Sequence, residues 1–379
     1  MPSFEYVPDG EPHVFGDRVY LYGSHDRFGG MNFCLNDYIC YSANVNDLSD
    51  WKYEGVIFKA NKDFRYINKN EDDRVFTLMY GYEDVDPSTV NEKGTHDLFA
   101  PDVVKGNDGK YYLYYCFDCL PQIGVAVCDT PAGEYEFLGL VKYSDGRVLG
   151  ENEGDLFQFD PGVFVDDDKR IYLYSGNAPM IKEQPGDGLN SQVMELENDM
   201  ITLKTNPKVL LPSLHVSSGT GFEGHEFFEA SSIRKINNKY YLAYSSINSH
   251  ELCYEISDYP DKEFKYGGTI VDIGNIYLNR LTEKEAVNCL GNTHGIEKIN
   301  NKWYIFYHRQ TNRTNFNRQA CAEIIELNED GSINQVEVTT QGLEGKALDG
   351  SLGFAFVLNK PSLTEICKFK EVFIRYAEV

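Results

Sequence analysis

The sequence predicts an all-β fold, a five-bladed β-propeller, and three observations lead to this prediction. A short phrase returns five times along the 379 residues: an apolar run, a tight turn of Gly, Asn or Asp, and a Tyr-rich alternating run, which is typical of a β-hairpin. The copies lie 60 to 92 residues apart, and a repeated unit too small to bury its own apolar face indicates a solenoid or a propeller. Aromatic residues make up 14% of the chain, with 27 Tyr and 23 Phe, and both types favour strands.

The five copies give the order of the blades. They read DGEPHVFGDRVYLYGS from Asp9, APDVVKGNDGKYYLYYC from Ala100, DPGVFVDDDKRIYLYSG from Asp160, EASSIRKINNKYYLAYSS from Glu229 and NTHGIEKINNKWYIFYHR from Asn292. With further strands between the hairpins, we expect five blades of four strands around a central channel. A β-sandwich would not need the same phrase five times, and a parallel β-helix would repeat at a shorter period.

The segments between the copies are irregular. The longest insertion, about residues 61–96, is polar and charged, and we expect it to form a loop over one face. A second stretch with Pro and Gly spans residues 181–224, and residues 281–290 are the best candidate for a short helical turn. The segment that starts at Glu323 predicts outer strands of the last blade. We therefore expect a propeller domain over residues 1–341 and a C-terminal tail over residues 342–379 that packs on it or closes it.

Charge and cysteine content narrow the class of protein. The net charge of −24 repels phosphate backbones and anionic membranes, so we expect neither nucleic acid nor membrane as a partner. No run of eighteen apolar residues exists, and the first ten residues show no secretory signal. The nine cysteines are irregularly spaced, and the one CxxC pair, Cys116 and Cys119, has no second pair to complete a zinc site. These features predict reduced thiols and a cytoplasmic location.

Carboxylates precede three of the five hairpins at nearly the same distance. Counted back from the aligned tyrosines Tyr20, Tyr112, Tyr172, Tyr241 and Tyr304, Asp160 and Glu229 lie 12 residues ahead and Asp9 lies 11 ahead, whereas Ala100 and Asn292 take this place in the other copies. The innermost strand of every blade begins at the same rim of the channel, so we expect the three acids to converge there. Crowded carboxyls raise at least one pKa, and a protonated acid beside an ionised base is what glycosidic cleavage uses.

His294 and Asp102 each lie 10 residues ahead of their tyrosine. Since strand side chains alternate, both are expected to face the channel one step deeper than the acids. His294 is a candidate ligand for a metal ion or a water, and oxygen-rich surroundings favour a hard ion such as Ca²⁺ with mostly water ligands.

Arg318 is either an ordinary arginine that balances the crowded acids or a forked donor to a sugar hydroxyl. Phe99 and His225 complete the predicted substrate-binding set with Arg318, and His308 and Arg309 are weaker candidates.

At these residues the chain resembles glycoside hydrolase family 43, a family of inverting enzymes with a five-bladed β-propeller that act on xylose- and arabinose-containing glycans. The matching segments, distributed over about residues 4–325, are YVPDGEPHVFGDRVYLYGSHD, LFAPDVVKGNDGKYYLYY, FDPGVFVDDDKRIYLYSG, FFEASSIRKINNKYYLAYSS and THGIEKINNKWYIFYHR. The resemblance implies that Asp9 is the general base, Glu229 the general acid and Asp160 the residue that orients Glu229 and tunes its pKa. It also implies an axial ion or water at His294, often calcium, and a sugar contact for Arg318.

Two departures from the family pattern matter. The residue after the base is usually Pro, but Gly10, Glu11 and Pro12 follow Asp9, so Glu11 is the alternative base. The tail after residue 342 differs from the β-sandwich that some relatives carry there.

The sequence thus predicts an inverting hydrolase of terminal xylosyl or arabinofuranosyl linkages in hemicellulose-derived oligosaccharides, a β-xylosidase or an α-L-arabinofuranosidase. Inversion needs the acid and the base roughly 6.5–9.5 Å apart. An endo- or exo-arabinanase and a non-catalytic glycan-binding propeller are the alternatives. No cofactor is expected for the chemistry, apart from a possible structural calcium ion near His294.

Overall fold

Five antiparallel sheets build the protein, as the computed structural model shows; it describes residues 5–67, 91, 94–184, 190–276, 278, 295–311, 314–339 and 343. Blade one contains β1 (Glu11–Phe15), β2 (Arg18–Tyr22), β3 (Tyr38–Asn44) and β4 (Asp47–Phe58). Blade two contains β5 (Leu98–Lys105), β6 (Tyr111–Phe117), β7 (Ile123–Cys128) and β8 (Glu136–Leu140). Blade three contains β9 (Gly162–Val165), β10 (Ile171–Ser175), β11 (Gln192–Leu196) and β12 (Lys208–Val209).

The last two blades follow in sequence order. Blade four contains β13 (Phe227–Ile236), β14 (Lys239–Ser246), β15 (Glu251–Ser257) and β16 (Lys265–Asp272). Blade five contains β17 (Ile296–Ile299), β18 (Lys302–Gln310) and β19 (Arg318–Ile325). Two short 3-10 helices, Ala60–Lys62 and Phe64–Tyr66, follow blade one. The first strands β1, β5, β9, β13 and β17 contact one another in cyclic order, β17 against β1, so the five blades form the predicted β-propeller.

Three tyrosines of the second strands β6, β10 and β14 combine a buried ring with a hydrogen-bonded hydroxyl. Each buries its ring in the core, and its hydroxyl donates to a backbone carbonyl elsewhere: Tyr114 to Met200, Tyr174 to Pro260 and Tyr244 to His225, each at 2.6 Å. A buried phenol needs such a partner for its O–H. This dual need for an apolar slot and an acceptor explains why the alternating runs are rich in Tyr rather than in Leu or Val alone.

One prediction about the connecting segments is corrected, and strands are found in another segment. The stretch 181–224 contains β11 and β12 of blade three. Glu323 does not begin the outer strands of blade five; it lies within β19, the third strand, which already starts at Arg318. Beyond β19, single bridges join Leu327 to Ile333 and Val336 to Val271 of blade four.

Other predictions fall outside the described residues. Most of the insertion 61–96, the helical turn at 281–290 and nearly all of the tail 342–379 belong to this group. The chain divides into a unit of residues 1–338 and a unit of residues 339–379, of which only Thr339 and Leu343 are described. The domain boundary at residue 341 therefore stays a prediction.

Within the described ranges no disulfide joins two cysteines. The helices found there are too short and too polar to cross a membrane. The cytoplasmic location stays a prediction.

Candidate active site

The register of the sheets shows which residues occupy equivalent positions along the channel. Glu11, Asp102, Gly162 and Ser232 are equivalent, because each pairs with the residue that follows the buried leucine of its second strand: Tyr22, Tyr114, Tyr174 and Ala243. Asp9 and Asp160 each lie two residues ahead of this level and therefore share one position at the rim. Both adopt a left-handed backbone, with φ of 53° and 43°.

Two β-bulges bring Glu229 and Phe99 to the same level. Glu229 lies three residues ahead of Ser232, but it pairs with Ser245, only two residues beyond Ala243, so the bulge absorbs one residue. Ala230, in the bulge, has a φ of 63°. In the same way Phe99 pairs with Cys116 and lies three residues ahead of Asp102.

The rim position of blade two is therefore Phe99, which corrects the prediction of Ala100. Asp160 and Glu229 both lie 12 residues ahead of their aligned tyrosine, but for different reasons in the two blades. The hairpin turn of blade three has three residues, 167–169, against two in blade four, and a β-bulge supplies the extra residue ahead of Ser232. Counting from the tyrosines thus found the carboxylates but placed Ala100 rather than Phe99 at the rim, because a residue count does not register bulges.

Arg318 joins the rim from the start of β19. Its Nη1 donates to both carboxylate oxygens of Asp9, at 3.1 and 3.2 Å. Its Nε and Nη2 donate 2.9 Å bonds to the two oxygens of Asp26, and its plane lies over the ring of Phe33 at 4.7 Å. Arg318 is 7% exposed and Asp26 1% exposed, so the pairing is shielded from water. The arginine is a counter-ion of the base candidate, one of its two predicted roles.

Glu229 and Asp160 are crowded carboxyls that favour their protonated forms. Burial, and next the charge of Asp9, raise the pKa of Glu229 to about 8, although Arg318 and a 3.1 Å hydrogen bond from Asn177 Nδ2 act against this rise. Burial, then Glu229 and Asp9, raise the pKa of Asp160 well above its usual range. The Oδ1 atom of Asp160 has no hydrogen-bond partner. The raised pKa favours a proton on Glu229 at neutral pH, whereas Asp9 is paired through both oxygens with the guanidinium of Arg318.

Glu11, the alternative base, lies one level deeper and is engaged there. Its Oε1 accepts hydrogen bonds from Ser232 Oγ at 2.6 Å and from Arg234 Nη2 at 2.8 Å. Arg234 in turn reaches Glu297 at 3.3 Å. Burial raises the pKa of Glu11, and the Arg234 charge opposes the rise. Glu11 is therefore part of a buried network of ion pairs with Arg234 and Glu297 inside the channel. Asp9, in contrast, is the acid whose charge acts on Glu229 and Asp160.

Asp102 occupies the same deeper level, as predicted for a channel-facing residue. His13 Nε2 lies 2.6 Å from its Oδ1, and the amides of Val103 and Val163 donate to its two oxygens. Between this level and the rim is a cavity of about 20 Å³, which admits one water-sized particle. Its lining includes Asp9, Glu11, Asp102 and Asp160.

The remaining predicted site residues are distributed differently. The Phe99 ring is 5.8 Å from that of Phe159, and its carbonyl accepts a hydrogen bond from Tyr38. His225 lies in another cluster of blade four, where its Nδ1 contacts Glu251 at 2.7 Å and its ring stacks on Tyr266. The structure does not bring His225 to the acids by any described contact. His294 lies outside the described residues, although its neighbour Gly295 is so close to the axis that a Cβ there would meet Glu11 Oε1 at 2.5 Å.

Sequence reasoning missed two residues that touch the rim, Asp26 and Asn177, and it rated His308 too low. His308 Nδ1 lies 3.4 Å from both the amide nitrogen and Oδ1 of Asp9. Asp26 and Asn177 each follow the second strand of their blade, β2 and β10, at the rim side. A polar residue just after the second strand of a hairpin was the available signal, because that end of the strand lies at the rim.

Comparison with known proteins finds a matching family, similar sequences and similar folds. The family described as "Glycosyl hydrolases family 43" matches residues 7–333. A "Xylosidase/arabinosidase" of Thermoclostridium stercorarium is 49% identical over 354 residues, covering 92% of this chain and 68% of that protein. A "Beta-xylosidase" of Xylanibacter ruminicola is 28% identical, covering 89% and 98%. One similar solved structure is a family 43 β-xylosidase/α-arabinofuranosidase from a compost microbial metagenome, in complex with xylotriose and in a calcium-free form. Its TM-score is 0.63 and its sequence identity 24%, over 88% of this chain and 96% of that one, which shows a likeness of fold.

Proposed function

The chain belongs to glycosyl hydrolase family 43, and from this premise we propose that it removes terminal β-D-xylosyl or α-L-arabinofuranosyl units from hemicellulose-derived oligosaccharides by single displacement with inversion. The 49% identical relative, named for both activities, supports this substrate class. The observation that carries the proposal is that two carboxyls at the rim differ in their environment: one favours its protonated form and the other is paired with a guanidinium. Glu229 has a pKa of about 8, whereas Asp9 has both oxygens on the guanidinium of Arg318.

Each rim residue takes one role. Glu229 donates its proton to the departing glycosidic oxygen, for which a raised pKa is required. Asp9 removes a proton from a water that attacks the opposite face of the sugar ring. Asp160, itself driven towards its neutral form, adds little negative charge beside Glu229, so that Glu229 can ionise as the leaving group departs. Phe99 places an aromatic side chain at the same rim level and is proposed to contact the sugar.

Calcium is proposed as a structural ion held by His294 and water. The relative with xylotriose was solved in a calcium-free form. Gly295, the next residue in the chain after His294, lies against Glu11 in the channel, which supports a channel ligand at this point of the sequence. Glu11 and Asp102 are engaged with Arg234, His13 and backbone amides, so His294 and water would be the ligands. When bound, the ion would supply positive charge near the channel; the proton transfers belong to Glu229 and Asp9.

Purified protein incubated with p-nitrophenyl β-D-xyloside and α-L-arabinofuranoside tests the function, in the presence and absence of a chelator. We expect release of nitrophenol from at least one of them, and an inverted anomer in the first product seen by NMR. A retained anomer contradicts the mechanism. If the protein binds oligosaccharides but hydrolyses no pentoside or hexoside, it is a glycan-binding propeller rather than an enzyme. If it hydrolyses linear arabinan alone, it is an arabinanase.

A further inference from the structure

The guanidinium of Arg318 is held on three sides. Asp26 takes Nε and Nη2, Phe33 covers the plane, and Cys34 Sγ lies 3.2 Å from Nη2. This leaves Nη1 as the nitrogen that faces Asp9. Because a bidentate carboxylate fixes both the position and the plane of a guanidinium, the direction of Nη1 follows from Asp26.

Asp26 is also held by backbone contacts, in addition to the guanidinium of Arg318. Its Oδ1 accepts the amide of Cys34 at 2.9 Å and its Oδ2 the amide of Arg318 at 3.1 Å, in addition to the two guanidinium bonds. The amide of Asp26 donates to Tyr6, and its carbonyl accepts from Asn36. The carboxylate is therefore a rigid anchor, supported from the β2–β3 loop and from β19.

A second buried pair, Arg65 and Asp63, offers a comparison in which the arginine does not contact a rim carboxylate. Arg65 donates Nε and Nη2 to Asp63 at 3.1 and 2.6 Å, much as Arg318 does to Asp26. Its Nη1, however, donates to the backbone carbonyl of Gln122. The two pairs share residue types and burial, and in each pair Nε and Nη2 of the arginine donate to one carboxylate. They differ in the acceptor of Nη1.

We propose that Asp26 is a positioning residue that acts through Arg318 on Asp9. It aims Nη1 at the two oxygens of Asp9, and its negative charge offsets part of the guanidinium charge, so that Asp9 stays oriented and retains enough basicity to take a proton from water. The inference rests on the proposed function, because it assigns Asp26 to the base of that reaction.

Several charged or titratable groups face Asp9 among the described residues. They come from six places in the fold: Arg318 on β19, His308 on β18, Tyr38 on β3, Cys34 in the β2–β3 loop, Asp160 ahead of β9 and Glu229 on β13. Arg318 is the permanent cation of this set, and Asp26 is the carboxylate that shares it with Asp9. Removing the charge of Asp26 leaves more of the guanidinium charge acting on Asp9, which favours the ionised form of Asp9.

The test is the pH profile of kcat/KM for Asp26→Asn on the pentoside that the wild type hydrolyses. We expect the acidic limb to move to lower pH by about one unit, and the maximal rate to fall about tenfold because a weaker base accepts its proton less readily. Asp63→Asn is the matched control, with lower thermal stability and an unmoved limb. An acidic limb of Asp26→Asn that stays in place or moves to higher pH overturns the proposal.

Asp26→Glu separates charge from position and does not depend on the Asn variant folding. It keeps the charge but displaces the guanidinium, so we expect a kcat about tenfold lower, a KM within about twofold of the wild type and an acidic limb that does not move to lower pH. A wild-type kcat in this variant overturns the positioning role. A wild type that hydrolyses no pentoside defeats the proposed function, whereas an active wild type with an unmoved limb in Asp26→Asn defeats this inference alone.

Discussion

The side-chain amide of Asn177, just after the second strand of blade three, donates a 3.1 Å hydrogen bond to Oε2 of Glu229 in blade four. A donor to a carboxylate favours the ionised form, so this bond lowers the pKa of Glu229 against the larger effects of burial and of Asp9. The acid candidate is thus balanced between groups from different blades.

Replacement of Asn177 by Ala should raise the pKa of Glu229 above its value of about 8. Because the general acid works in its protonated form, the alkaline limb of kcat/KM should move to higher pH. A net hydrogen bond of about 1 kcal/mol corresponds to about 0.7 pH unit. Asn107→Ala, at an exposed turn where the amide bonds to Lys169 and Asn198, should leave the limb in place. A limb unmoved in Asn177→Ala would show that the bond does not act on the acid.

Substitutions of Glu229 and Asp9 should differ in how strongly the loss of activity depends on the leaving group of the substrate. Glu229→Gln removes the proton donor, so hydrolysis of xylobiose should fall by about 10²–10⁴-fold, and hydrolysis of nitrophenyl xyloside much less because nitrophenolate leaves without help. Asp9→Asn removes the base and should lower both rates about equally. Steady-state kinetics on the two substrates measure this, with the exposed turn residue Asp168→Asn as control. Equal losses in Glu229→Gln on both substrates contradict the assignment of the acid.

Glu11→Gln tests the alternative base. The change breaks a buried ion pair with Arg234, which should lower the free energy of unfolding by about 3–5 kcal/mol. Turnover per folded molecule should stay within about threefold of the wild type, since Glu11 lies below the rim. Denaturant titration and active-site kinetics on the folded fraction are the measurements. Loss of activity comparable to Asp9→Asn, with stability retained, would make Glu11 the base.

Glu255 on β15 is a position at which we expect an apolar substitution to stabilise the fold. It is fully buried, neither of its carboxylate oxygens has a hydrogen-bond partner, and burial raises its pKa well above the usual range. The folded state therefore holds a proton that the unfolded state releases above its ordinary pKa, so stability falls as pH rises from there. Glu255→Leu should raise the free energy of unfolding at pH 8 by about 1–3 kcal/mol, and less at pH 5.

Glu251, four residues earlier on the same strand, gives the opposite expectation and serves as the control. Donors from His225, Ser246, Asn248 and Thr269 surround its carboxylate, and the pKa is lowered to about 2. This group stabilises the fold above its ordinary pKa and loses that effect as pH falls towards 2. Glu251→Gln should therefore lower the melting temperature at pH 7. If both variants shift the melting temperature in the same direction, burial without partners is not the cause at Glu255.

Much of this protein could be predicted from local patterns. A hairpin needs only its own alternation and turn, and a blade that cannot bury its face must repeat, so five copies of one phrase determined the propeller. Equivalent strands begin at one rim by symmetry, which is why Asp9, Asp160 and Glu229 could be placed together before any contact was known. Family 43 membership follows from the same segments.

The partners of those residues were decided by tertiary structure alone. Bulges ahead of Ser232 and Asp102 shift the register by one residue, so Phe99 and not Ala100 reaches the rim. Arg318 finds Asp26 and Asp9 at sequence separations of 292 and 309, and Glu11 finds Arg234 across 223 residues. Such pairings depend on which side chains the closed ring brings within hydrogen-bond distance of one another. Sequence alone therefore determined the fold and the carboxylates. The closure of the ring decided which acid pairs with Arg318, which pairs with Arg234, and which has its pKa raised by burial.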